Sequence, residues 1–459
     1  MSADKATLKL GREVSITDGP ILKNFILYTI PLILTSLLQI AYNAVDIMVL
    51  GNFAGEEYVA PVGAVTPIVN ILILFSHIHT GYGMLIGRYF GEENGDKIKS
   101  TNSTALIFAL TIGVVSGVVG WMLAEPILRL TGCPESVMGE AVIYLRIYVL
   151  SLPGTMFYSF FSHLLRSSGD SKTPLYILFV SGACNVALNL LFVLVFKMPV
   201  VGVAIGTSAS IYISAILLFI KLIRMEGLSR FELSGIRFSL PDFGKIIRYG
   251  LPNAISASTF GIANLLIQSA VNAYGDLAIA GAAAAVTIEG ILFGVSNSIS
   301  TATSTFISQN IGAENKDRVL RIRRLVHILS LGTLLALSLL TMALGRPLLG
   351  LFLPDGGESL DFGYTRLLFV AVAVIIHAVI CVNNGVLISF GYSTFQMLHN
   401  LVGVVLFRTV WMLFIYPQSK TPNNLFLCYP VSFVITAAIG FAMCCYIIRK
   451  YKSGEKFAV

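Results

Sequence analysis

Two acidic side chains lie in stretches of sequence too apolar to hold them cheaply: Asp46, within Tyr42-Asn43-Ala44-Val45-Asp46, and Glu289, within Thr287-Ile288-Glu289-Gly290. An ionisable group near the centre of a bilayer costs on the order of 2.5–3.5 kcal/mol on insertion scales, so it normally faces a cavity, a partner or an ion path. The basic counterparts, in or at the edge of apolar segments, are Arg146, Arg366 and Arg408. Asp46 reads structurally as a residue at an aqueous mouth, and functionally as a site for a coupling cation or a proton. Buried charges need partners, so the structural reading of Glu289 is an ion pair with Arg408. Its functional reading is a counter-charge to a cationic substrate, in a cavity to which Asn43, Asn264 and Arg408 also contribute. Asn185 and Asn189 are four apart and share one helix face, and Thr207 follows in the next apolar segment. Such residues serve as glue between membrane helices. Joined with the Asp46 carboxylate they would present only hard oxygen donors, which suits a sodium ion better than a transition metal. A carboxyl group taken out of water can equally carry a proton.

The elements that must position these groups are membrane helices. Hydrophobic residues make up 56% of the 459 and charged residues 12%, with a mean hydropathy of +0.81, whereas a soluble globular chain carries about 25% charge. A helix needs roughly 20 apolar residues to cross a bilayer. Twelve such spans are expected, near residues 24–50, 58–88, 101–123, 138–165, 173–196, 200–222, 244–272, 277–310, 325–345, 363–390, 395–416 and 425–448. The ten-residue alternation of β-barrel strands is not seen. The polar start and the lack of a small-residue cleavage site after the first apolar run predict an uncleaved first helix and no signal peptide.

The pattern occurs twice. Pro31, Asn43, Thr80, Gly91, Glu93, Asn94 and Asp96 recur 221 positions later as Pro252, Asn264, Thr301, Gly312, Glu314, Asn315 and Asp317. A tandem duplication in a hydrophobic chain suggests a transporter with its site in the cleft between the halves. The expected fold is therefore an all-α polytopic membrane protein, with twelve transmembrane helices in two six-helix lobes related by a pseudo-two-fold axis along the membrane normal. Residues 1–222 form the N-lobe, 223–243 a cytoplasmic linker and 244–459 the C-lobe. If the N-terminus is cytoplasmic, 24 of the 31 Lys and Arg fall on that side and only Arg129, Lys197, Arg346 and Lys420 on the other. The positive-inside rule thus places both termini in the cytoplasm of a bacterial cell. The pI of about 9.0 is topological and implies no nucleic-acid partner.

Other chemistry finds little support. The six cysteines lie mostly in apolar segments without metal spacing, as small hydrophobes do. His77 and His79 are two apart, whereas a paired helical metal site wants three or four. No Gly-x-Ser-x-Gly, His-x-x-x-His or paired intramembrane aspartates point to an enzyme, and no phosphate-binding glycine loop points to a nucleotide. No cofactor is expected beyond the coupling ion. Pro67 and Pro153 fall inside spans, where proline removes a backbone hydrogen bond and kinks the helix.

The segment from Pro31 through Asn43-Ala44-Val45-Asp46-Ile47-Met48-Val49-Leu50-Gly51, the Leu-Arg-Ser-Ser-Gly-Asp-Ser-Lys-Thr-Pro run at 165–174, and Phe306-Ile307-Ser308-Gln309-Asn310-Ile311-Gly312-Ala313 resemble the multidrug and toxic compound extrusion (MATE) family, in this order over essentially the whole chain. The resemblance implies a secondary antiporter that exports small organic compounds in exchange for sodium or protons through a cleft between two lobes in the lipid bilayer. It implies that Asp46 is the first-helix aspartate of an N-lobe cation site, with Asn185, Asn189 and Thr207 as its partners. The chain departs from some relatives in carrying Asn189 where they have Asp, and from others in having no acid across 251–273. A lipid or lipid-linked oligosaccharide flippase is the alternative; it would call for a basic cavity, for which only Arg146, Arg366 and Arg408 are available.

Overall fold

The computed structural model describes residues 14–55, 58–232, 235–354 and 356–455. Lys5, Lys9, Arg12 and Lys456, counted above among the cytoplasmic cations, lie outside the described residues, as does the side chain of Asn43. Among the described residues, eleven helices are long and apolar enough to cross a membrane, and one bent pair completes twelve spans. They are α1 Ile21–Phe53, α2 Val59–Gly91, α3 Gly95–Met122, the bent α4 (Glu135–Val149 and Leu152–Ser167), α5 Lys172–Val195, α6 Pro199–Ile223, α7 Leu240–Asn272, α8 Asp276–Gly312, α9 Lys316–Gly350, α10 Gly357–Ser389, α11 Ser393–Gln418 and α12 Pro422–Lys452. Each expected span is present.

The chain separates into two compact units, Met1–Ile247 and Arg248–Val459. The first carries α1–α6 and the second α8–α12, with α7 beginning at Leu240 and crossing the boundary. The linker therefore merges into α7 earlier than the sequence suggests, and among its described residues a helical turn forms at Gly227–Ser229. In the first unit an apolar core joins Leu50 of α1, Val65 of α2, Leu145 and Val149 of α4, and Val203 of α6.

Lipid, not water, is the solvent that these helices are built for. On α9, Ser330, Ser338 and Thr341 are buried while Leu331, Leu335 and Leu339 are exposed. That inverts the pattern of a helix on a soluble protein, because hydrocarbon rewards an apolar exterior and leaves polar groups to bond between helices.

The duplication is physical as well as textual. Glu93 and Glu314 both adopt a left-handed backbone, each at φ 54°, and the next residue caps the following helix. Asn94 accepts a bond from the Lys97 amide at 3.0 Å, and Asn315 one from the Arg318 amide at 3.3 Å. An asparagine at this position satisfies an amide that the first helical turn leaves without a partner. The widened helical turns Leu191–Val195 in α5 and Trp411–Ile415 in α11 also recur at nearly the same offset.

The bend in α4 is 44° and falls at residues 150–151, just before Pro153. Pro67 is accommodated within α2, whose helix tightens over Leu74–Ile78. The 165–174 run closes α4, makes the turn at residues 168–171 and opens α5. Asp170 accepts bonds from the amides of Lys172 at 3.2 Å and Thr173 at 2.9 Å, and one from the Thr173 hydroxyl at 2.5 Å.

In the second unit α8 and α10 meet backbone to backbone. A β-carbon on Gly281 would overlap the Ser359 carbonyl oxygen, and one on Gly363 would lie 2.6 Å from the Gly281 oxygen. Gly281→Leu must therefore push the two helices apart. We expect a loss of about 3 kcal/mol or more from overpacking, seen as a lower unfolding temperature in detergent. Gly332→Leu, where nothing lies within 4 Å of the new β-carbon, should leave that temperature unchanged.

Candidate functional site

The first unit gathers Asp46, Asn185, Asn189 and Thr207 into one buried cluster. Asp46 is 7% exposed, Asn185 1%, Asn189 0% and Thr207 5%. The Asn189 amide donates to one carboxylate oxygen of Asp46 at 2.7 Å, and the Thr207 hydroxyl to the other at 2.8 Å. Asn185 donates in turn to Thr207 at 3.2 Å, and its own oxygen lies 3.4 Å from the Asn189 amide nitrogen. Three helices, α1, α5 and α6, thus each supply part of one polar cluster in an apolar lobe.

Local sequence makes the approach feasible. The four-residue spacing of Asn185 and Asn189 sets both amides on the α5 face toward α1 and α6. Gly206, next to Thr207, has no side chain: a β-carbon there would overlap the Asn189 side-chain oxygen. That oxygen is buried without a hydrogen-bond partner. A buried acceptor left without a donor costs about 1–3 kcal/mol, and it is also a ready ligand for a cation.

Among the described residues no ion pair includes Asp46; its partners are neutral. Tyr42, four residues earlier on α1, hydrogen-bonds to Ser210 of α6, and Ser210 donates to the Thr207 carbonyl at 2.7 Å. These two residues extend the cluster by one helical turn. Their spacing from Asp46 and Thr207, four and three residues, is the signal that could have found them.

The second unit solves its charge problem differently. Glu289 on α8 is bonded at both oxygens by Arg366 of α10, from Nε at 2.6 Å and from Nη2 at 2.9 Å. Both side chains are almost wholly buried. The pairing expected from sequence, Glu289 with Arg408, is thus corrected to Arg366. Arg408 instead stacks over the Tyr429 ring at 4.2 Å and donates to Ser432 at 3.1 Å and to the Asn264 oxygen at 3.5 Å. Tyr429 accepts from Arg366 at 3.1 Å and donates to Asn264 at 3.3 Å. Glu289, Asn264 and Arg408 therefore do belong to one network, but the carboxylate in it is already neutralised, which counts against Glu289 as a free counter-charge for substrate.

His77 and His79 have ring centroids 6.0 Å apart, and His79 lies against His163 at 3.9 Å. Among the described residues no group of three or more His, Cys, Asp or Glu could hold a metal ion. All six cysteines are free.

A duplicated bundle of twelve membrane helices, with a buried carboxylate among neutral donors in one lobe, is an architecture met among membrane transporters. The MatE family model matches the chain twice, at residues 31–191 and 252–412, so the second match begins 221 residues after the first. The chain belongs to the multidrug and toxic compound extrusion family. It is 31% identical over 306 residues to the probable multidrug resistance protein YoeA of Bacillus subtilis, covering 65% of this chain and 66% of that one. It is 26% identical to the probable multidrug resistance protein YpnP of the same organism, covering 85% and 88%. A crystal structure of a MATE protein in its bent conformation shares the fold with a TM-score of 0.89 at 18% identity, over 96% of this chain and 98% of that one.

The buried pair yields a direct test. Removing one member of a buried ion pair costs about 3–5 kcal/mol because the other charge is stranded. Glu289→Gln and Arg366→Met are each expected to lower the unfolding temperature in detergent sharply. The double variant should lose clearly less than the sum of the two. Strict additivity would show that the two side chains do not act as a pair.

Proposed function

We propose that this protein is a secondary antiporter that exports small amphipathic organic molecules across the cytoplasmic membrane, driven by entry of sodium or protons at Asp46. The observation that carries the proposal is the buried Asp46 carboxylate held only by neutral donors. A charge in that setting is expensive, and a monovalent cation or a proton removes the cost. The donor set fits sodium: carboxylate oxygens from Asp46, side-chain oxygens from Asn185 and Asn189, and the Thr207 hydroxyl, all hard ligands. The Asn189 amide turns its nitrogen to Asp46 and its oxygen toward Gly206, so it would rotate to offer that unpartnered oxygen to the ion.

Coupling follows from a thermodynamic requirement. A ligand shifts a conformational equilibrium only by its differential affinity for the two states. The cluster draws on α1, α5 and α6, so any displacement of α1 against the other two changes the donors around Asp46. An alternating-access cycle between two lobes would exploit that difference, with the bend of α4 and the widened turn of α5 as places where a helix can flex. Relatives carrying multidrug resistance names support drug-type cargo. Since Arg366 neutralises Glu289, charge recognition of a cationic substrate falls to Asp46 in this reading. Both termini lie in the cytoplasm by the distribution of Lys and Arg.

Efflux of a fluorescent organic cation from vesicles, under a sodium gradient and a proton gradient applied separately, tests the proposal. The parent protein should export dye under one gradient. Asp46→Asn should reduce coupled export at least a hundredfold while remaining folded in the membrane. Export by that variant at the parent rate would remove Asp46 from the mechanism.

A further inference from the structure

We propose that the first unit binds one anionic phospholipid in a groove between α3 and the linker, with its headgroup in a basic cleft and an acyl chain in the apolar furrow that continues from it. The inference rests on the chain being a membrane protein and not on the transport reading. Two depressions lie end to end along α3. One, of about 220 Å³, is lined by Lys99, Ser100 and Ser103 of α3 and by Arg230, Arg237 and Ser239 of the linker and the turn into α7. The other, of about 290 Å³, is lined by Ile107, Phe108, Ile112 and Val115 of α3 together with Phe238 and Phe243. Ser103 and Ile107 are one helical turn apart, and Phe238 precedes Ser239 directly, so the polar and apolar ends adjoin on both walls.

The groove is built, with its walls fixed to each other. The Ser239 amide donates to the Thr104 hydroxyl at 3.1 Å, Ser100 donates to Asp242 at 2.5 Å, and the Phe108 and Phe243 rings meet at 5.4 Å. Phe243 also contacts Phe238 at 5.4 Å.

Charge and length select the occupant. The cleft presents Lys99, Arg230 and Arg237 against Glu232, which is 3.1 Å from Lys99 in an exposed pair, with Asp242 behind Ser100 as the other nearby acid. Arg230 and Arg237 are exposed and enter none of the described ion pairs. Such a cleft repels a cationic drug and attracts a phosphate diester, with the Ser239 hydroxyl, which accepts from the Asp242 amide and keeps its own proton free, as an additional donor. From Ser103 to Val115 the helix rises about 18 Å at 1.5 Å per residue, comparable with one leaflet of a hydrocarbon core roughly 30 Å thick. Val115 and Phe238 remain half exposed, so a chain in the furrow stays open to the surrounding lipid. Bound there, the lipid would fasten the linker to α3, a place from which membrane composition can act on the connection between the units.

The test uses the purified full chain in a nonionic detergent, with native mass spectrometry of bound phosphatidylglycerol and phosphatidylcholine of identical acyl chains. The parent should retain one phosphatidylglycerol in preference to phosphatidylcholine. The double variant Arg230→Gln/Arg237→Gln should weaken that retention roughly thirtyfold, about fivefold for each basic residue near an anionic headgroup. Val115→Trp, which fills the furrow and leaves the charges in place, should also release the lipid, and glycerol phosphate should not displace it. Equal retention of the two lipids by the parent, full retention by either variant, or displacement by glycerol phosphate at matching concentration would overturn the proposal.

Discussion

A carboxylate placed in hydrocarbon has to be satisfied, and much of the first lobe is arranged around that requirement. Among the described residues, α5 and α6 bring Asn189 and Thr207 to the two oxygens of Asp46. The approach of α6 is possible because position 206 has no β-carbon, and Asn185 braces Thr207 from behind. These bonds lower the cost of the charge without cancelling it, because every donor is neutral. In the proposed reading the lobe thus keeps an affinity for a positive charge. In the reading proposed above the site serves a cation that comes and goes, whereas a permanent structural role would be served by a built-in Arg or Lys.

The second lobe shows that alternative. There Arg366 grips Glu289 with two bonds, and the pair is held further by Tyr429 and Asn264. Arg408 lies beside them, stabilised by ring stacking and neutral oxygens. Both partners of a planar bidentate pair are fixed in geometry as well as charge, so this network reads as an internal strut between α8, α10 and α12. Duplication from one ancestor gave the two lobes equivalent turns at Glu93 and Glu314, yet their buried charges have diverged, one left open and the other closed.

Sequence pattern carried much of this. The apolar runs gave all twelve spans because a membrane helix must be apolar over a fixed length, and the repeated Glu-Asn pair marked the same capped turn in both halves. The N-lobe cluster was legible because Asn185 and Asn189 declare a face by their spacing, and because polar residues in apolar spans are few. The choice between Arg366 and Arg408 for Glu289 was not legible. It depends on which helix lies against α8, and that is decided by the close backbone contact at Gly281 and Gly363, a matter of tertiary packing that charge inventories do not contain. Ser210 and Tyr42 escaped notice because neither is costly in a span; only their helical spacing from Thr207 and Asp46 marks them.

Cation binding at Asp46, measured at equilibrium on the purified protein, bears most directly on the central claim. Calorimetric titration with sodium at several pH values, with proton uptake or release followed in weakly buffered solution, should show one site per chain that takes up either sodium or a proton. Asp46→Asn should abolish it without altering the unfolding profile in sodium-free buffer. A parent protein that binds neither ion, or an Asp46→Asn variant that binds as the parent does, would contradict the assignment of this carboxylate as the coupling site.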